Sequence, residues 1–118
     1  SGSQGIGYAY EAIKYGHQQM MVAGGCEELS ATQAAVFDTL FATSTNNANP
    51  DLAPRPFDQN RDGLVIGEGA GIVILETLES ALERGATILA EIVGFGTNSD
   101  GAHITQPNAT ARCRTNPG

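Results

Sequence analysis

Met20-Met21-Val22-Ala23 is a run of four apolar residues with nothing polar between them, and it ends in Gly24-Gly25. Such a run has no side to turn toward water, so it suits a strand covered on both faces, as the strands of parallel sheets are. That requirement points to a sheet packed against helices, and the neighbouring residues agree. Ile6, Tyr10 and Ile13 recur at i, i+4 and i+7, one face of a helix, and Gly16 stands where a left-handed residue would end it. Residues 31–42 read as a second helix with Ala34, Phe37 and Phe41 on one face. Residues 44–60, with Pro50, Pro54 and Pro56, read as a long loop of the kind that is functional or covers something. Leu64-Val65-Ile66 and Ile72-Val73-Ile74-Leu75 read as strands on either side of Gly67-Glu68-Gly69-Ala70-Gly71. Thr77 is placed to cap a short helix over residues 78–84, with Gly85 to end it. Residues 88–95 read as a further strand, and turn residues follow. The order is that of an α/β fold. Because each helix of such a fold is fed by a strand, an opening on a helix predicts a further strand before Ser1.

Charge narrows the function. Six basic residues among thirteen acidic ones leave a formal net charge of −7, which argues against a nucleic-acid or acidic membrane surface. No apolar run approaches the roughly 20 residues that span a bilayer. Only 16% of residues are charged, against about 25% in ordinary soluble domains, so part of this surface is expected to lie under a larger protein or a second subunit. Cys26 and Cys113 are too few for a disulfide framework and read as reduced thiols of a cytoplasmic protein. With His17 and His103 they show no metal-ligand spacing.

The glycine clusters at Gly5-Ile6-Gly7, Gly67 to Gly71 and Gly94-Phe95-Gly96 lack the strand, helix and acidic residue of a dinucleotide fingerprint, and read as turn and packing glycines. Arg61-Asp62-Gly63, just after Arg55-Pro56-Phe57-Asp58, reads as a local ion pair that fixes a loop, with Glu68 expected to pair with one of its arginines. Cys26 precedes Glu27 and Glu28, which would raise rather than lower a thiol pKa, so it reads as inert. His17 reads as a surface residue. His103, near Asp100 in a turn-rich segment, is compatible with a loop anchor or with a site.

Taken in order, these segments resemble one family. Ser1-Gly2-Ser3-Gln4-Gly5-Ile6-Gly7 is similar to the stretch after the nucleophile of β-ketoacyl-(acyl carrier protein) synthases. Val22-Ala23-Gly24-Gly25-Cys26-Glu27-Glu28 resembles their buried strand and Gly-Gly turn. Phe37, Ser44-Thr45, Arg55-Pro56-Phe57-Asp58, Arg61-Asp62-Gly63, Gly67 to Gly71, Leu75-Glu76, Arg84-Gly85-Ala86 and Ser99-Asp100 to Thr105 keep the family's order and spacing. The likeness runs from residue 1 to about residue 108. Beyond Thr110 the sequence departs from the family, which continues as an amphipathic helix; Pro117 and Gly118 do not suit one.

The resemblance implies an incomplete thiolase-like fold, a mixed sheet covered by helices. Residues 1–118 would be part of the N-terminal half of the synthase domain, running into the connection to its C-terminal half. It implies a homodimeric acyltransferase of fatty acid biosynthesis that joins an acyl thioester to malonyl-carrier by decarboxylative Claisen condensation. The partner would be an acyl carrier protein bearing phosphopantetheine, and the enzyme itself would hold no cofactor and no metal. The nucleophilic cysteine would fall two residues before Ser1 and the catalytic histidines beyond Gly118, so no catalytic group lies in this chain and the chain alone is expected to be inactive. Ser1, Gly2, Gly5 and Gly7 would support the nucleophile's helix. Phe37 would line the acyl pocket, and Asp100, His103 and Thr105 would lie near the pantetheine entrance. A polyketide-type ketosynthase or a chain-length partner is the alternative within the superfamily, and a non-catalytic interaction module is the alternative outside it.

Overall fold

A computed structural model describes residues 1–106. Its elements are α1 (Gly2–Lys14), β1 (Met20–Glu27), α2 (Ala31–Thr39), a 3-10 turn (Pro50–Leu52), β2 (Gly69–Glu76) and α3 (Leu78–Glu83), a mixed α/β order. They belong to two compact units. One holds residues 1–26 and 70–100, the other residues 27–69 and 101–106. The departure after Thr110 and the second cysteine, Cys113, lie outside the described residues.

In the first unit the local signals act as expected. α1 buries Gly7 and Ala9. It stops at Tyr15, where the N–H of Gly16 donates to the Ile13 carbonyl (3.0 Å) and that of His17 to the Ala12 carbonyl (2.8 Å). This paired pattern is the Schellman motif, and Gly16 takes the left-handed φ (+76°) that it requires. α3 repeats the solution. The Thr77 hydroxyl accepts from the Ser80 N–H (3.3 Å), and the helix closes with Gly85 N–H to Leu82 O (3.1 Å) and Ala86 N–H to Ala81 O (2.8 Å), Gly85 at φ +67°. Across its base, Arg84 Nε reaches both Glu76 carboxylate oxygens at 3.0 Å, and the Ser80 hydroxyl donates to one of them at 3.0 Å. Arg84 holds the Glu76 carboxyl below the usual range, and Ser80 adds to the effect.

β1 and β2 pair as a two-stranded sheet. The expectation that these strands are covered on both faces is not met within the described residues, where Val22 is 67% and Ile74 61% exposed. The strand expected over residues 88–95 is absent as well: the segment joins no ladder, and Leu89 is 93% exposed. A strand exists only alongside another, and among the described residues no segment pairs with this one.

In the second unit the Ser30 hydroxyl accepts from the Gln33 N–H (3.2 Å) and starts α2. The helix ends at Thr39, two residues short of the expected face, so Phe41 is not on the helix. Of residues 64–66, only Leu64 pairs, in an isolated parallel bridge to Thr43. The expected strand is reduced to that bridge because a single exchange, Ser44 N–H to Leu64 O and Leu64 N–H to Ala42 O (both 2.8 Å), is all the loop geometry allows.

Among the described residues the buried apolar ones are Ala9, Ala53 and Ala81, three small side chains, whereas Phe57 is 99% exposed. So small an apolar core cannot supply the burial on which cooperative folding depends. Residues 1–118 prepared alone are therefore expected to bind a hydrophobic dye and to unfold over a broad range in a thermal scan. A sharp two-state transition without dye binding would show that the chain stands by itself.

Candidate functional site

The start of α1 is built against glycine. A Cβ added at Gly2 would lie 3.2 Å from Gly25 Cα, and one at Gly5 would lie 3.5 Å from the Gly24 carbonyl oxygen. A Cβ at Gly24 would sit 2.0 Å from the Gly71 carbonyl oxygen, a backbone atom that has little room to move away. A Cβ at Gly7 would fall 2.1 Å from the Phe95 ring, which also meets Tyr8 edge-on at 5.8 Å between centroids. The first turn of α1 thus lies directly on β1, whose Gly24 lies directly on β2. Ser1 occupies the N-cap position but makes no side-chain cap, and no acidic residue sits in the first turn. The N–H end of the helix dipole is left unneutralised by its own side chains.

The second unit holds the other features. His103 Nδ1 accepts from the backbone N–H groups of Thr105 (3.1 Å) and Gln106 (3.2 Å), so in the neutral ring the proton resides on Nε2. The Thr105 hydroxyl lies 3.4 Å from the same nitrogen. Thr105 also lines a hollow of about 570 Å³ together with Phe41, Arg55, Arg61, Asp62 and Leu64.

Asp62 is the knot of this unit. Its carboxylate accepts from the Ser44 hydroxyl (2.8 Å to one oxygen, 2.9 Å to the other) and from the Thr45 N–H (3.1 Å), and Arg55 Nη2 stands 4.0 Å away. The Ser44 hydroxyl, then the Thr45 amide and the Arg55 charge, hold the Asp62 carboxyl below the ordinary carboxylate value. Since folding lowers this pKa, the clasp is in force above the ordinary carboxylate range and is lost as pH falls through the lowered value. Asp62 therefore ties the end of the long loop to its beginning.

The expected ion pair is thus Arg55 with Asp62, while Arg61 donates to the Asp58 carbonyl at 3.0 Å. Glu68 does not pair with an arginine of this loop. Its carboxylate takes the Leu29 N–H at 3.3 Å, just ahead of the α2 cap, where an acceptor is otherwise lacking. Of the residues singled out from the sequence, Ser1, Gly2, Gly5 and Gly7 come together at the start of α1, and His103 and Thr105 come together in the loop. Phe37 is half-buried on α2 but does not line the hollow. Asp100 closes the described part of the first unit. Cys26 is exposed at the end of β1. Among the described residues no group of three His, Cys, Asp or Glu is placed to hold a metal, and no helix is long and apolar enough to cross a membrane. The role of Ser44 and Thr45 as Asp62 partners has no signature in the sequence, because a bond over 18 residues leaves no local pattern.

Comparison with known proteins identifies the family. Residues 1–81 match the family described as "Beta-ketoacyl synthase, N-terminal domain", and the chain belongs to it. A 3-oxoacyl-[acyl-carrier-protein] synthase 2 of Vibrio cholerae is 48% identical over 109 residues, which are 92% of this chain and 26% of that protein. The chain therefore spans about a quarter of the length of this relative. A crystal structure of a β-ketoacyl synthase from Burkholderia phymatum is 68% identical, with a TM-score of 0.83 over 92% of this chain and 27% of that one. A type II PKS acyl-carrier protein in complex with its ketosynthase bound to the hexaketide gives 42% identity and a TM-score of 0.65, over 73% of this chain and 22% of that one.

The glycine contacts set a test in the full-length synthase. Gly24→Ala forces a methyl group onto the Gly71 carbonyl and should cost about 3 kcal/mol, read as a Tm loss of several degrees. Gly67→Ala, with open space around it in the described structure, should stay within about 0.5 kcal/mol. Equal effects of the two changes would deny the close approach of β1 and β2.

Proposed function

We propose that this chain is the part of a 3-oxoacyl-(acyl carrier protein) synthase that carries and backs the helix of its nucleophile. One observation carries the reading: the start of α1 has no side-chain cap and no first-turn acid, and it rests on a seam made only of glycine. A cysteine two residues before Ser1 would lie in the field of that helix end, which favours thiolate over thiol. Ser1, Gly2, Gly5 and Gly7 support it by position and by absence of bulk.

In this reading the thiolate takes an acyl group from a carrier thioester. Malonyl-carrier then loses carbon dioxide, and its carbanion attacks the acyl-cysteine to release 3-oxoacyl-carrier. Preorganised donors at the developing oxyanion supply much of the acceleration in such reactions. The groups that act on the malonyl unit belong to the rest of the enzyme, and the isolated chain is inactive. Phe37 lines the acyl pocket. Asp100, His103 and Thr105 border the entrance for the phosphopantetheine arm, with His103 held in one tautomer by the Thr105 and Gln106 amides. The enzyme works as a cytoplasmic homodimer, needs no cofactor beyond the arm its carrier partner brings, and serves fatty acid synthesis. The likeness to a ketosynthase of polyketide type favours that pathway as the second reading, but it spans less of the chain than the likeness to the Burkholderia synthase does.

The test is an assay of the full-length protein with octanoyl-carrier and malonyl-carrier. The expected product is a single 3-oxodecanoyl-carrier, with Thr105→Val raising KM for the carrier substrates several-fold and leaving kcat within about twofold. Loss of carbon dioxide without condensation would assign the protein to the chain-length partners instead.

A further inference from the structure

Residues 101–106 belong to no helix or strand, and Gly101 turns the chain at φ +63°. Backbone N–H groups in such a segment have no ladder to join, and each needs an acceptor from elsewhere. Those of Thr105 (3.1 Å) and Gln106 (3.2 Å) find the same one, His103 Nδ1. Two successive peptide units are thereby tied to one atom of one ring. Asn and Asp side chains hold the backbone two residues on in the same way, so His103 acts here as they would. The ring is exposed among the described residues, so what it supplies is an acceptor and not packed bulk.

The residue held in this way is one that lines the hollow. Thr105 and Asp62 both contribute to its wall. Asp62 is fixed there by the Ser44 hydroxyl and the Thr45 N–H, and Thr105 by the ring two residues before it. The Thr105 hydroxyl stands 3.4 Å from His103 Nδ1, too far for a strong bond to it. The backbone of Thr105 is therefore secured while its hydroxyl keeps the capacity to bond a ligand.

We infer that His103 is a positioning residue for the thioester arm: through Nδ1 it sets the peptide of Thr105 and, with it, the direction of the Thr105 hydroxyl. The inference rests on the proposed reading in which Thr105 borders the entrance for that arm. Its test uses the full-length synthase with His103→Leu, which removes the acceptor, and His103→Asn, which restores one. Each change is made with Thr105 intact and with Thr105→Val. The probe is octanoyl-pantetheine, the arm without a carrier, at a fixed concentration of malonyl-carrier. His103→Leu is expected to raise KM about fivefold, the worth of one hydrogen bond, with kcat within about twofold. His103→Asn recovers most of that loss. In the Thr105→Val background His103→Leu adds less than about twofold, because a residue that acts through Thr105 is not additive with it. Exchange of the Thr105 and Gln106 amide hydrogens quickens in His103→Leu and not in His103→Asn. An unchanged KM in His103→Leu would overturn the inference, as would an effect that His103→Asn does not recover or one that adds in full to Thr105→Val. A fall in Tm of several degrees in His103→Leu would place the ring in packing within the enzyme and overturn it too. If the wild-type enzyme binds octanoyl-pantetheine but condenses nothing, the proposed reaction fails, while calorimetric affinity for that probe across the same variants still decides the role of His103.

Discussion

Close approach of backbone to backbone through glycine is the constraint on which the rest of this structure depends. Gly24 leaves room for the carbonyl of Gly71 in the neighbouring strand, and Gly25 leaves room for Gly2, so that the first turn of α1 comes close to the backbone of β1 and β1 to that of β2. A larger residue in this seam would push the start of α1 away from the sheet. The helix dipole acts over roughly one turn, so the field at the start of α1 depends on how firmly that turn is placed. In the proposed reading, that is what the glycine seam contributes to the nucleophile.

What was legible in the sequence was what is decided locally. The helix that carries Ile6, Tyr10 and Ile13, the Thr77 cap and the Gly16 and Gly85 stops each depend on residues close together in the chain, and each appears where the sequence predicts it, although the residues α1 buries are Gly7 and Ala9. The apolar run at Met20 to Ala23 becomes a strand because β2 lies beside it to pair with. Residues 88–95 have strand composition but no pairing partner within the described chain, and pairing is not a local property. The end of α2 is not legible because Phe41 carries no stop signal; its left-handed backbone contradicts its residue type. The sequence suggests an arginine partner for both Glu68 and Asp62. Asp62 stands near one but binds chiefly through Ser44 and Thr45, and Glu68 caps a backbone N–H instead.

The exposed apolar residues follow from the same account. Low charge in the composition predicted a surface meant to be covered, and Val22, Ile74 and Leu89 are exposed in the described structure. The relatives are about four times as long as the segment they share with this chain, and a sheet that is bare in one quarter of such a protein has material available to cover it. The polar clasps do not need that cover. Glu76 with Arg84, and Asp62 with Ser44, close within the described residues and hold local shape without it.

The measurement that bears most directly on this account is the pH profile of alkylation of the full-length protein by iodoacetamide, read by mass spectrometry on the peptide that runs into Ser1. A cysteine two residues before Ser1 is expected to alkylate at half its maximal rate well below the ordinary thiol pKa of about 8.5. A different residue at that position, or a cysteine there that reacts no earlier than a free thiol in a small peptide, would contradict this assignment.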